Sequence, residues 1–266
     1  DKPILDHIER NFEIAKANRD FLKNFYSVLK AMEEKIRFIF FTGVTKFSKV
    51  SLFSGLNNLT DLTIEPEFAD MLGYTQEEFE NNFDEYIEEF AKKEEMTKPD
   101  LLKKIKKWYN GYRFSSKEVT VYNSYSSLLM LRKKTFQNHW FDTGTPTFLV
   151  ELIKQKSIDI FEQEGKRIKE DSFSVFQLDN LPLMPIMYQA GYFTIKNYSK
   201  DSRNYELGYP NREVELAFTT SLIQCFRKEE KDYFYTDLTE LEEYLYDKDL
   251  DNFFKCLRVF IASIPY

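Results

Sequence analysis

The stretch at residues 36–63, IRFIFFTGVTKFSKVSLFSGLNNLTDLT, decides how this chain is read. Ile36, Phe38, Ile39, Phe40 and Phe41 form a short run that is apolar on both alternating faces, as a strand in the middle of a parallel sheet is. Such strands belong to α/β folds, where the ligand crevice lies just past the carboxyl ends of the strands. Thr42, Gly43, Thr45 and Lys46 fall at that position. The competing reading is a solvated loop that turns at Gly43.

Working outward, Phe21, Leu22, Phe25, Tyr26, Val28, Leu29 and Met32 recur at helical spacing, which predicts a helix packed beside the strand as half of a βαβ unit. One strand and a second at 59–64 cannot make a sheet covered on both faces. The chain is therefore expected to be part of something longer.

The 266 residues exceed the usual size of one domain, and two or three compact units are expected. No apolar run reaches 18 residues, so no membrane span is predicted. Cys225 and Cys256 lack CxxC spacing, and His7 and His139 are the only histidines, so neither a disulfide framework nor a zinc cluster is supported. Reduced thiols and a cytoplasmic location are expected. The net charge of −7 hides a segregation: residues 61–100 hold 14 acids against 3 lysines, and residues 101–140 hold 9 basic residues against Glu118 alone. Two adjacent segments of opposite sign attract each other across a helix pair. The sharper alternative is a basic face at Lys103, Lys104, Lys106 and Lys107 that meets nucleic acid or nucleotide phosphates.

Downstream, Thr75 with Glu78 marks a capping box, with Tyr74 against Phe79 as its staple and Phe79, Phe83, Tyr86, Ile87 and Phe90 as the buried face of one acidic helix. A second helix starts at Thr97, buries Leu101, Leu102, Ile105, Trp108, Tyr109 and Tyr112, and ends near Gly111. A third starts at Thr145-Pro146 and buries Phe148, Leu149, Leu152 and Ile153. A helix over 181–190, a hairpin through Phe193, Ile195, Tyr205 and Leu207, and a helix capped by Asn211 complete a rhythm compatible with a winged-helix-like module.

The sequence lacks G-x-x-x-x-G-K-[ST] and G-x-S-x-G, and two E-x-K triplets, Glu33 to Lys35 and Glu164 to Lys166, are what chance gives in so charged a chain. What remains is support for a nucleotide: Asp1 ahead of a helix, Thr42 or Thr45 at a strand end, and Arg113 after a basic helix. The alternative for Arg113 is a helix-terminal arginine that faces the dipole.

The segments DKPIL, TGVTKFSKVSLFSGLNNLTDLT, LGYTQEEFENNF, WYNGYRF, VYNSYSSL, HWFDTGTPTFLVELIK and ELGYPNREVELAF, in this order, resemble the predicted AAA-ATPase-like proteins of bacteria. The resemblance runs from residue 1 to about 225 and implies a P-loop ATPase commonly followed by a PD-(D/E)XK nuclease-like domain. It implies further that Asp1 to Ile4 is the tail of the Walker B motif, that the Walker A loop and the Walker B acids precede Asp1, and that 36–42 is the sensor-1 strand with Thr42 as its polar residue. Arg113 is then a candidate sensor-2 or finger-like arginine.

The expected fold is a remnant of a P-loop sheet at 1–64, a helical lid at 65–140 and a winged-helix-like module with C-terminal helices at 141–266, predominantly α. The expected function is ATP binding and hydrolysis, with ATP and Mg2+ in the intact protein and an inactive fragment here. The rival is a nucleic-acid or protein adaptor; a homo-oligomer fits either.

Overall fold

The computed structural model describes residues 3–4, 7, 11–43, 59–140, 147–156, 158–174, 182–226, 240–241 and 243–262. Asp1, Thr45 and Lys46 lie outside them, as does the expected Thr145-Pro146 cap. The chain divides into two compact units, Asp1–Glu215 and Leu216–Tyr266, each described by itself.

The predicted first helix is α1, Phe12–Ala31, opened by Asn11, whose side chain accepts from the Ile14 N–H. Its apolar stripe is not covered: Phe21 is 71% and Phe25 58% exposed. The run at 36–41 is not a strand here. It has no sheet pairing among the described residues, and Phe38 (79%) and Phe40 (56%) face outward. A strand needs neighbouring N–H and C=O groups to complete it. In their absence Phe41 folds back edge-on to Tyr26, 5.3 Å between ring centres. The second expected strand, 59–64, is irregular: Asp61 accepts from the backbone and hydroxyl of Thr63 at 3.1 and 2.6 Å, a local turn in place of a ladder.

The acidic helix expected after Thr75 is two helices, α2 (Gln76–Asn82) and α3 (Asp84–Lys93). The Asn82 side chain competes for the Glu78 carbonyl at 2.8 Å, and Phe83 leaves helical geometry (φ −119°, ψ 20°). The capping box is present in both directions. Tyr74 meets Phe83 edge-on rather than stapling to Phe79, because its backbone bridges to Tyr122 and Phe79 stacks on the Tyr122 ring. Helix α4, Lys98–Tyr109, starts at Thr97 as expected, and α5, Ser124–Lys133, is capped by Asn123. Phe79, Ile87, Phe90, Leu101, Ile105, Tyr109, Tyr122, Met130 and Leu131 make one core among α2 to α5.

The segregated charges meet over this core. Lys104 pairs with Glu94 at 2.9 Å, Lys134 with Glu89 at 2.6 Å, Lys117 with Asp70 at 3.5 Å, and Lys98 with Asp84. Opposite signs on neighbouring segments are thus in part an internal match.

Then come α6 (Thr147–Gln155), β1 (Arg167–Lys169), α7 (Leu183–Gln189), β2 (Thr194–Ser199), β3 (Asn204–Gly208) and α8 (Arg212–Phe226). The predicted hairpin is β2 and β3, and the helix, hairpin, helix order is present. A third strand, β1, pairs antiparallel to β3 and gives the order β1-β3-β2. It is three residues long with an exposed, half-buried, exposed pattern, too short for a periodicity signal. In the second unit, Asp249 caps α9 (Leu250–Ala262) by accepting from the Asn252 backbone. No helix among the described residues is long and apolar enough to cross a membrane.

Candidate functional site

The motifs LGYTQEEFENNF, WYNGYRF, VYNSYSSL and GYPNRE meet in the first unit. The turn after α4 places Gly111 at φ +109° against the Pro210 carbonyl, where any Cβ would collide with the oxygen. That contact joins WYNGYRF to GYPNRE and carries Trp108 and Tyr112 to the start of α8. Asn211 then caps α8, accepting from the Val214 N–H at 3.1 Å.

Glu213, in the first turn of α8, is fully buried. Its Oε1 accepts from the Ser126 hydroxyl at 3.0 Å and from the Trp140 N–H at 2.9 Å. The N-terminal dipole of α8 favours a carboxylate at this place. Glu213 thereby ties the starts of α5 and α8 to the 139–140 turn. Around it, burial raises the hydroxyls of Tyr109 and Tyr112 above the ordinary tyrosine range, and the Glu213 carboxylate adds to both shifts. Among the described residues no group of three or more His, Cys, Asp or Glu stands placed to hold a metal.

Arg113 lies in the turn after α4 and does not end a helix. Helix α4 ends at Tyr109, and Arg113 is buried. Its Nε donates to the Ser115 and Lys117 carbonyls, both at 3.0 Å, and an Nη donates to the Ser116 carbonyl at 2.6 Å. Its backbone exchanges hydrogen bonds with the Thr194 side chain at 2.7 and 3.0 Å, so it fastens the 112–117 turn to β2. Thr42 is exposed after the 36–41 run, and no bond or ring contact joins it to Arg113. Of the sensing candidates, Thr42 and Arg113 are the two among the described residues.

Of the four lysines of α4, Lys104 is paired with Glu94 and lies over the Phe136 ring at 4.2 Å. Lys103 reaches Asp100 at 3.4 Å, and Lys106 and Lys107 are exposed without an ion pair. Next to them the Arg212 guanidinium lies 5.3 Å over the Trp108 ring, and Trp108 meets Phe136 at 5.7 Å. Neither Glu213 nor the pair Trp108 and Arg212 stands out in the sequence reading. The available signal for Glu213 was an acid four residues before Ala217, on the apolar side of its helix.

Residues 1–53 match the family model described as AAA-ATPase_like, Predicted AAA-ATPase. Over 272 aligned residues the whole chain is 36% identical to the "Uncharacterized protein in vnfD 5'region" of Azotobacter chroococcum mcd 1. The alignment takes in 49% of that protein, so the chain spans about half the length of the curated relative it matches. No solved structure matches.

Proposed function

We infer that this chain is the carboxyl-terminal portion of an ATPase of the AAA-like class, and the match of residues 1–53 to the predicted AAA-ATPase model carries that reading. The bare aromatic face of α1 and the exposed apolar run beside it support it, since both have the composition of elements made to be covered by further sheet. In a longer polypeptide, a phosphate loop and Walker B acids outside these residues would hold ATP and Mg2+. Thr42, with Thr45 and Lys46, would touch the terminal phosphate from the strand end. Arg113 serves as a clamp for its own turn, and the sensing role passes to the threonines. The helices α2 to α5 would form the lid, and the segment from α7 to α8 the winged-helix-like module. A nuclease-like effector would follow, in a cytoplasmic protein.

The test compares the full-length protein with these 266 residues. Mg2+-dependent ATP turnover is expected in the first, and calorimetry of the second is expected to show no micromolar ATP binding. Thr42→Ala in the full-length protein should lower turnover at least about tenfold with ATP affinity unchanged. Loss of affinity with normal turnover per bound nucleotide would remove Thr42 from the site, and a full-length protein without turnover would overturn the ATPase assignment.

A further inference from the structure

We propose that Trp108, Phe136 and Arg212, with Lys103, Lys106 and Lys107 of α4, form a binding face for single-stranded nucleic acid. Two rings stand between two cations along it: Lys104 over Phe136, Phe136 beside Trp108, Trp108 under Arg212. Faces that hold single strands combine aromatic rings on which bases stack with cations that follow the phosphates. Arg212 forms no ion pair or hydrogen bond, and the same is true of Lys106 and Lys107, so their charge is not matched within the described residues. The acids that do face this region, Glu94 and Asp100, are engaged by Lys104 and Lys103.

The backbone beneath the face is anchored. Each of its three central residues precedes an anchored neighbour. Trp108 precedes Tyr109, and Phe136 precedes Gln137, whose backbone bonds the Tyr109 hydroxyl in both directions at 3.0 Å. Arg212 precedes Glu213, which is fixed to Ser126 and Trp140. An anchored backbone lowers the ordering cost of binding. The two rings between the cations favour single strands over an acidic peptide, which needs the cations alone.

The test uses the whole chain and a fluorescein-labelled oligothymidylate, read by anisotropy. Binding should weaken between about 50 and 200 mM salt, with a slope of about −0.7 per phosphate contacted. Arg212→Gln and Lys107→Glu, both exposed, should each weaken binding by about fivefold or more and leave the melting midpoint unchanged. Trp108→Phe, which keeps a ring on the core, should remove the oligonucleotide-dependent quenching of tryptophan fluorescence. Absence of binding at the lower salt, unchanged affinity in both charge variants, or equal displacement by polyglutamate would each overturn the proposal.

Discussion

A single buried carboxylate shows how much one residue determines here. Glu213 receives the Ser126 hydroxyl and the Trp140 N–H, and replacing it with alanine takes that acceptor away from both donors. Glu213→Ala is expected to cost about 2–4 kcal/mol in urea unfolding, and Glu213→Gln, which keeps the acceptor oxygen, about half of that. A loss under about 1 kcal/mol for the alanine variant would refute the anchoring role. Arg113 teaches the same lesson with the opposite charge. In the sequence it stands beside a glycine turn after a run of lysines, where a phosphate-seeking arginine is expected. In the structure its guanidinium is taken up by the Ser115, Ser116 and Lys117 carbonyls, because a tight turn leaves those acceptors without helix or sheet partners.

At the scale of elements, local signals were legible wherever the partner lies a few residues away. The Thr75 and Glu78 box, the Thr97 cap and the Asn211 cap are all formed, since each joins groups within one turn. Thr75→Ala should therefore lower stability by about 1 kcal/mol, read as a shift in the denaturation midpoint, whereas Thr75→Ser should not. An alanine variant as stable as the wild type would show that α2 is held by its core residues alone. The strand expected at 36–41 was not realised, because its apolar composition fixes only a demand for neighbours. Strand β1 went unseen for the converse reason: its pairing comes from β3, some 35 to 40 residues on, and not from its own pattern.

For the molecule as a whole, burial of tyrosines sets an alkaline limit. Burial pushes the Tyr122 and Tyr205 hydroxyls up to about 12, and raises those of Tyr109, Tyr112, Tyr188 and Tyr192 as well. The neutral phenol is the form the fold prefers, so this contribution is complete below about pH 10 and is lost as pH rises toward and past 12. Tyrosinate absorbance of these residues should appear together with the loss of helical circular dichroism, in one cooperative step. Ionisation of all the tyrosines before any loss of helix would contradict their burial. The sequence by itself determined α1, α4 and α8, the caps at Thr75, Thr97 and Asn211, the hairpin and the segregation of charge, because periodicity, capping and turn chemistry act over a few residues. Only the tertiary structure decided which opposite charges pair, among them Lys104 with Glu94 and Lys134 with Glu89, that Arg113 is a clamp, and that Trp108 and Arg212 meet beside a buried Glu213. Those outcomes depend on which distant segments touch, and here one glycine pressed against the Pro210 carbonyl brings them together.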